Sequence, residues 1–237
     1  MANTYFQFKQ FIIHQDRCGM KLSTDAVILG AWAAHKSPKK ILDIGTGTGA
    51  IALMLAQRYP KAFTEAVELD GETFVQANDN VSLSPWKDRI QVIHLSFQQY
   101  AASQPGCFDL IVSNPPYFPD HIKSNDQQRN LALHNDSLPF GDLINGVADI
   151  LAPNGLFWVI LPERQMQDLE KLAAARGLFP CHQVIVRNHP DAPALRLVQA
   201  FSFSKNDPSE TVLCIRDHER RYSAAYKELL RDFLLDF

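Results

Sequence analysis

Apolar residues are distributed along the chain in two alternating patterns. Short runs of Ile, Leu, Val and Phe are typical of buried strands, and longer stretches with apolar residues three or four positions apart are typical of helices. The first pattern predicts strands at 41–44, 63–69, 90–95, 108–113 and 156–161. The second predicts helices at 50–58, 72–83, 142–151 and 163–176. This alternation predicts an α/β fold with a mostly parallel central sheet and helices on both faces.

A different pattern precedes the alternation. Residues 6–14 are rich in aromatic and β-branched side chains, which predicts an extended segment. Ser23 or Thr24 is expected to cap the helix that follows. Because residues 37–40 then interrupt the pattern, we expect an N-terminal β/helix extension at 1–36 and a main domain at 37–237.

The other end of the chain has three β-like segments, at 183–187, 195–204 and 211–215. A Lys-Asn-Asp-Pro-Ser turn joins the last two, so the sequence predicts that they form a C-terminal antiparallel hairpin. A final helix is predicted at 223–235, and Pro153 to Gly155 is predicted to be a turn before the strand at 156–161.

The composition is that of an ordinary globular protein, with 237 residues, 46% hydrophobic and 21% charged. No apolar run reaches the roughly 20 residues of a membrane span, and the first residues lack the pattern of a signal peptide. A cytoplasmic protein without membrane contact is therefore expected. The four cysteines are scattered and the histidines have no ligand spacing, so no metal site is expected.

The net charge of −3 is unusual for a nucleic-acid binder, which is often basic overall. The basic residues nevertheless cluster, and a local patch can attract phosphate while the whole chain stays slightly acidic. The alternative is an ordinary solvated surface. The candidates for RNA contacts are Lys9, Arg17, Lys21, Arg129, Arg220 and Arg221.

A glycine-rich loop follows the strand at 41–44. Gly45, Gly47 and Gly49 have the spacing GxGxG, which is neither the GxGxxG of dinucleotide folds nor a Walker loop. A nucleotide-type ligand without phosphate is therefore favoured. Asp43 is the candidate for binding an α-amino group, and Glu68, at the end of the next strand, is the candidate for accepting hydrogen bonds from ribose hydroxyls. The alternative is a tight strand-to-helix connection.

Residues Asn114-Pro-Pro-Tyr117 follow the strand at 108–113 and are the most informative motif of the chain. The Asn114 amide oxygen can accept a hydrogen bond from an amino group, and Pro115 and Pro116 keep the backbone extended with its carbonyls exposed. Tyr117 offers a face for stacking, worth about 1–3 kcal/mol per base. The alternative is a rigid strand-to-loop turn.

These residue types suit methylation of an exocyclic adenine nitrogen. The N6 lone pair is delocalised into the ring, and two hydrogen bonds accepted by the Asn114 side chain and the Pro115 carbonyl would localise it on nitrogen. Positioning of this kind supplies on the order of 7–11 kcal/mol of a barrier. Neither a metal nor a covalent intermediate is required.

With these motifs, the chain resembles class I, Rossmann-like methyltransferases that depend on S-adenosyl-L-methionine. It resembles more closely the bacterial tRNA1(Val) (adenine(37)-N6)-methyltransferases, over nearly its whole length. The segments that carry the resemblance include Phe8-Lys-Gln-Phe11, Thr24-Asp25, Leu29-Gly-Ala-Trp32, Asp43-Ile-Gly45, Ala66-Val-Glu-Leu69 and Ser113-Asn-Pro-Pro-Tyr117.

The resemblance implies that S-adenosyl-L-methionine is the cofactor and that the anticodon loop of a tRNA is the partner, without an obligate protein partner. It implies that Gly45, Gly47 and Glu68 hold the cofactor and that Thr24 and Asp25 lie near its methionine end. The N-terminal extension would lie near both cofactor and RNA. Related enzymes carry Asp at the end of the third strand, where this chain has Ser96 and Phe97. These two residues are the candidates for contacts with the cofactor's adenine, although Phe97 alone is more typical of a core residue.

Four alternatives remain at this point. The same motif would serve methylation of a protein glutamine or of a DNA adenine, but the extension is too short for a helical N-terminal domain and no room exists for a target-recognition domain. A NAD-dependent dehydrogenase is disfavoured by the loop spacing. A non-catalytic RNA-binding module would have no use for the Asn-Pro-Pro-Tyr motif.

Overall fold

The computed structural model describes residues 3–103, 107–116 and 138–237, and its centre is a twisted eight-stranded sheet. The strands are β1 (Tyr5–Gln7), β2 (Ile12–His14), β3 (Lys40–Ile44), β4 (Phe63–Glu68), β5 (Ile90–His94), β6 (Phe108–Ser113), β7 (Leu151–Leu161), β8 (Phe179–Arg187), β9 (Ala194–Ser202) and β10 (Ser209–Cys214). The helices are α1 (Thr24–Trp32), α2 (Ala50–Arg58), α3 (Gly71–Ser82), α4 (Phe97–Ser103), α5 (Phe140–Ile150), α6 (Glu163–Ala175) and α7 (Ala224–Leu230).

The large sheet has the strand order β10-β8-β9-β7-β6-β3-β4-β5. Strands β3 to β7 are parallel to one another, and β9 is antiparallel to both of its neighbours, β7 and β8. The predicted fold class is therefore confirmed, with its parallel sheet, covering helices and C-terminal antiparallel hairpin.

The partners in that hairpin were predicted wrongly. Strand β9 pairs with β8, and β10 runs parallel to β8 on its outer edge. Both edges of β9 are occupied by β7 and β8, so no hydrogen-bonding edge remains for β10. After β9 the chain crosses β8, and β10 returns along the outer edge of β8 without pairing with β9.

Other features also differ from the sequence prediction. Helix α4 was not anticipated, and the last helix ends at Leu230 instead of 235. The predicted turn at 153–155 is a bulge inside β7, because Phe108 pairs with Leu151 whereas Leu110 already pairs with Leu156. A Cβ atom at Gly155 would lie only 2.8 Å from the Phe108 carbonyl oxygen, so the bulge requires a glycine there.

Side-chain caps fix the starts of three helices. Ser23 accepts a hydrogen bond from the Ala26 amide at 3.1 Å, as predicted for α1. Asp70 accepts one from the Thr73 amide at the start of α3, and Ser223 accepts one from the Tyr226 amide at the start of α7. Each of these caps satisfies one backbone amide in the first turn of its helix.

Apolar side chains fill both faces of the large sheet. On one face α1, α2 and α7 pack together with the N-terminal hairpin β1–β2, whose Phe8 and Ile13 are fully buried. On the other face α4, α5 and α6 contribute Tyr100, Ile144 and Leu169. Of the helices that the structure describes, none is long and apolar enough to cross a membrane.

Candidate active site

A cavity of about 770 Å³ opens at the carboxyl ends of β3, β4, β5 and β6. Its wall includes Gly45, Gly47, Glu68, Ser96 and Asn114, which come from four different strand-to-helix connections. The carboxyl ends of parallel strands are the usual ligand-binding edge of such sheets. The structure therefore brings both sequence motifs, the glycine-rich loop and the Asn-Pro-Pro segment, into one cavity.

The glycine-rich loop has a backbone that only glycine adopts without strain. Gly45, Gly47 and Gly49 have φ values of 67°, 57° and 81°. No atom lies within 4 Å of the position that a Cβ would take at Gly45 or Gly47, so these two leave open space beside the cavity. Gly49 does not line the cavity; it caps α2 and packs against Ala77 of α3.

Asp43 lies beneath this loop and is fully buried. Its Oδ2 accepts hydrogen bonds from the Thr46 hydroxyl at 2.6 Å and the Ala52 amide at 3.1 Å. Burial raises the pKa of Asp43 to about 7, and the nearby negative charge of Glu68 adds to the rise, although both hydrogen bonds oppose it. Asp43 does not line the cavity, so the structure assigns it a bracing function. Its binding of an α-amino group stays a prediction.

Glu68 does line the cavity, and backbone amides hold its carboxylate on both sides. Its Oε2 accepts a hydrogen bond from the Gly47 amide at 2.9 Å, which ties the end of β4 to the loop after β3. Its Oε1 accepts from the amides of Leu69 at 2.9 Å and Asp70 at 3.0 Å. The carboxylate is thereby fixed in orientation at the cavity wall.

The charge and shape of the wall fit a particular kind of ligand. The acidic residues Glu68, Asp70 and Glu72 line the cavity, and in the part of the chain that the structure describes Arg17 is the one cationic residue that does. Hydrogen bonds from Thr73 keep the pKa of Asp70 below its usual value, so this residue stays ionised. An acidic wall next to an open glycine loop fits a nucleoside that carries positive charge, and it disfavours a phosphate-bearing ligand.

Ser96 and Phe97 stand at the start of α4, and both line the cavity. The Ser96 hydroxyl accepts a hydrogen bond from the Gln99 amide at 3.2 Å and donates one to the Gln99 side chain. Phe97 is buried and lies so close to Gly146 of α5 that a Cβ there would be 2.6 Å from its ring. Phe97 is thus both a core residue and part of the wall, and its contact with an adenine stays a prediction.

The Asn-Pro-Pro segment leaves the end of β6 directly into the cavity. The buried Ser113 hydroxyl donates to the Ile44 carbonyl at 3.0 Å, which anchors the segment to β3. Asn114 and Pro116 reach the wall, as does the buried Pro115. Among the described residues, none forms a hydrogen bond with the Asn114 side chain. Tyr117, like Arg129 and the remainder of 117–137, lies outside the described residues.

Thr24 and Asp25 are not brought into this wall. Thr24 is an exposed residue at the start of α1. Asp25 forms an ion pair with Arg196 of β9, with 2.7 Å between Oδ2 and Nε. Their proximity to the methionine end of a cofactor stays a prediction.

The basic residues chosen from the sequence lie in different places. Only Arg17 lines the cavity among those that the structure describes, and it pairs with Asp79 at 3.0 Å. The Lys9 ammonium donates to the main-chain carbonyls of Arg231 and Phe237, and Lys21 donates to that of Asn3. Arg220 lies in a left-handed turn near the other end of the chain, and Arg221 pairs with Glu219.

Sequence reasoning named Arg17 as a candidate for RNA contact, but it did not identify the neighbouring wall residues or the side chains that hold this loop. Gly19 and Met20 of the same loop line the cavity, and Met20 remains 69% exposed. The loop is held by buried amides, of which Gln76 and Asn80 belong to α3. The available signal was the position of these two polar residues, four apart on the helix face that also carries Ala77 and Val81. In the described ranges, no group of three or more His, Cys, Asp or Glu side chains is arranged to hold a metal ion.

Comparison with known proteins decides the family. Residues 25–188 match the family described as Methyltransferase small domain. The chain belongs to this family. It is 44% identical over 236 residues to a Bacteroides fragilis protein named tRNA1(Val) (adenine(37)-N6)-methyltransferase, with 99% of each chain covered. A protein of the same name from Pectobacterium carotovorum is 42% identical, with 97% of this chain and 93% of the relative covered.

Solved structures confirm the methyltransferase fold. A predicted O-methyltransferase from Agrobacterium tumefaciens superposes with a TM-score of 0.68 at 21% identity, covering 88% of this chain and 96% of its own. TYW2 of P. horikoshii, solved in complex with MeSAdo, has a TM-score of 0.54 at 17% identity, with 81% and 67% covered. At these identities the likeness concerns the fold alone.

Proposed function

We propose that this methyltransferase transfers a methyl group from S-adenosyl-L-methionine to the exocyclic N6 of an adenine in tRNA, at position 37 of tRNA1(Val). One observation carries the proposal: the Asn114-Pro-Pro segment and the glycine-rich loop with Glu68 line the same cavity. The names of the relatives at 37–44% identity support the choice of tRNA and of the position.

The glycine-rich half of the cavity would hold the cofactor. Its open surface at Gly45 and Gly47 lets a ligand approach the backbone, and Glu68 presents a fixed carboxylate to ribose hydroxyls. Ser96 and Phe97 would meet the adenine of the cofactor. The acidic wall favours the positively charged sulfonium of S-adenosyl-L-methionine, which supplies the methyl group when bound.

The Asn-Pro-Pro half would hold the target base. The Asn114 side-chain oxygen and the Pro115 carbonyl each accept a hydrogen bond from one N6 proton, which draws the nitrogen towards tetrahedral geometry and localises its lone pair. Pro115 and Pro116 have no N–H and a fixed φ, so the acceptors are held in place before the base arrives. The surplus proton leaves to water after transfer, and no metal is needed. Tyr117 would stack on the base.

Residues 1–36 would form an extension that lies beside both ligands. Arg17, Gly19 and Met20 support this division of the chain, because they reach the cavity wall from outside the parallel sheet. An adenine of an unpaired loop suits this entrance, since unstacking costs least there. The anticodon loop of tRNA would thus contact Arg17 first. We propose no protein partner.

Nucleoside mass spectrometry tests the proposal. Unmodified bulk tRNA is incubated with the purified protein and S-adenosyl-L-methionine, and with Asn114→Ala as a matched control. We expect N6-methyladenosine with the wild type alone, followed by mapping to position 37 by cleavage of the isolated tRNA. If S-adenosyl-L-methionine binds but no methylated nucleoside forms, a protein glutamine or DNA adenine replaces tRNA as the substrate to test.

A further inference from the structure

A single buried side chain connects the N-terminal hairpin to the glycine-rich loop. Asn80, on the inner face of α3, is 1% exposed. Its Oδ1 accepts a hydrogen bond from the His14 amide at 2.9 Å, and its Nδ2 donates to the His14 carbonyl at 2.9 Å. The same Nδ2 donates to the Thr48 carbonyl, also at 2.9 Å. Thr48 stands between Gly47 and Gly49, so one amide group bonds two segments that are distant in sequence.

Two further buried amides hold the loop that continues from His14. The Gln76 side chain, one turn before Asn80, accepts a hydrogen bond from the Arg17 amide at 3.1 Å. Gln15 closes the loop on itself, because its Oε1 accepts from the Leu22 amide at 2.9 Å while its Nε2 donates to the Asn3 carbonyl. We call residues 15–22 the strap. Arg17, Gly19 and Met20 of this strap form part of the cavity wall.

These contacts make α3 a shared support for two walls of the cavity. Gln76 holds only the strap, whereas Asn80 holds both the segment leading into the strap and the carbonyl of Thr48. A buried amide with all of its hydrogen bonds to backbone leaves little freedom for either segment to move alone. A displacement of the glycine-rich loop is therefore transmitted to His14, and a displacement of the strap is transmitted to the loop.

We propose that Asn80 is a positioning residue that couples occupation of the glycine-rich loop to the placement of the strap over the cavity. The inference rests on the proposed function for the identity of the cofactor. It does not depend on which RNA is methylated. Coupling of this kind is reciprocal, so RNA that contacts the strap would strengthen cofactor binding by the same factor by which the cofactor strengthens RNA binding.

Hydrogen–deuterium exchange measures the coupling without any methyl transfer. Addition of S-adenosylhomocysteine to the wild type should slow exchange of the backbone amides at 14–22 as well as those of the glycine-rich loop. In Asn80→Ala the loop should still respond while the response at 14–22 is lost, and the dissociation constant for S-adenosylhomocysteine should rise at least fivefold. Asn78→Ala, an exposed residue on the same helix, is the matched control and should behave as the wild type.

Asn80→Asp keeps the side-chain volume and the acceptor for the His14 amide, but it loses the donors to the His14 and Thr48 carbonyls. This variant replaces Asn80→Ala in the exchange experiment if the alanine variant does not fold. Gln76→Ala separates the two links: it should raise the KM for tRNA while the dissociation constant for S-adenosylhomocysteine stays within twofold. A folded Asn80→Asp whose 14–22 amides respond to S-adenosylhomocysteine as in the wild type would overturn the coupling. Failure of S-adenosylhomocysteine to bind the wild type would instead count against the proposed cofactor.

Discussion

The two halves of the cavity are built in opposite ways. In the glycine-rich half, the carboxylates of Asp43 and Glu68 together accept five hydrogen bonds from the protein, three of them at Glu68. In the Asn-Pro-Pro half, Ser113 anchors the backbone, but the Asn114 side chain has no hydrogen-bond partner among the described residues.

The difference shows what each half is prepared to bind. A ligand at the glycine-rich loop meets a backbone whose left-handed shape, which glycine adopts without strain, is already supported by protein contacts. A ligand at Asn114 meets an amide to which no described residue is hydrogen-bonded, on a rigid, proline-fixed backbone. We therefore expect the first half to bind its ligand by preformed shape and the second half to bind by the hydrogen bonds that its ligand completes.

Asn114→Ala tests the second half and should have the largest effect. Removal of the side-chain acceptor should lower kcat about 10²–10³-fold, the usual cost of losing one preorganised hydrogen-bonding group at a reacting centre. The dissociation constant for S-adenosylhomocysteine should stay within twofold, since the glycine-rich half is untouched. Single-turnover kinetics and calorimetry measure the two quantities. Equal turnover in the variant would remove Asn114 from the chemistry.

Asp43→Asn tests how much the first half depends on a buried acid. The folded protein keeps the Asp43 proton up to about pH 7, whereas the unfolded chain loses it near 3.8. The folded state therefore binds more protons between these values, and its free energy of unfolding falls as pH rises. Between pH 5 and 6.5 the wild type should lose on the order of 2 kcal/mol more than the Asn variant.

Urea denaturation at a series of pH values checks this dependence. Asp168→Asn, a change at an exposed carboxylate on α6, serves as the control and should leave the pH profile of the wild type unchanged. Parallel profiles for wild type and Asp43→Asn would mean that Asp43 is ionised beneath the loop.

Glu68→Ala should weaken cofactor binding by more than roughly tenfold, a loss of about 1.4 kcal/mol. The change removes both the carboxylate at the wall and the support for the Gly47 amide. Glu68→Gln retains an acceptor for that amide, so its loss should be smaller. Isothermal titration with S-adenosylhomocysteine gives both values. If Glu68→Ala binds as tightly as the wild type, this carboxylate has no part in the site.

Arg17→Ala should have the smallest effect on the fold. Its ion pair with Asp79 is about half exposed at both ends, and such pairs contribute about 0.2–1 kcal/mol. If Arg17 meets phosphate at the cavity entrance, the slope of log affinity for tRNA against log salt should decrease by about one. Lys171→Ala, which breaks an exposed pair on α6, is the control. Identical salt slopes in both variants would place the RNA elsewhere.

The regular part of the fold was predictable from local patterns. Runs of branched apolar residues predicted β3 to β6, and residue type limited the cap of α1 to Ser23 or Thr24, of which the structure shows Ser23. The pairing of β10 with β8 was not predictable in this way, because it depends on which strand edges are already occupied. Helix α4 was missed since its seven residues, Phe97–Ser103, have only Phe97 and Tyr100 buried.

The residues of the site were likewise predictable where a short motif carries them and not where distant contacts place them. Gly45, Gly47, Glu68 and Asn114 were found because their chemistry is carried by short motifs that follow buried strands. Arg17 of the strap was named, but the support of the strap was not found, since Gln76 and Asn80 hold it by bonding backbone atoms more than 55 residues away. The sequence did not show which of the basic residues lie at the cavity. The structure places Arg17 in the wall, whereas Lys9 is bonded to the main chain of Phe237.

The contacts of Lys9 and its neighbour Phe8 have a consequence for biosynthesis. Phe8 forms a bridge with Leu234, and the Lys9 amide donates to the Phe233 carbonyl at 2.8 Å. Ribosomes deliver about 5–20 residues per second from the N-terminal side, so Phe8 emerges many seconds before either partner. Phe8 and Lys9 therefore lack these two partners until the last helix has emerged. Residues 15–22 are held instead by Gln76 of α3 and by Gln15, so this part of the cavity wall can close well before the end of the chain has emerged.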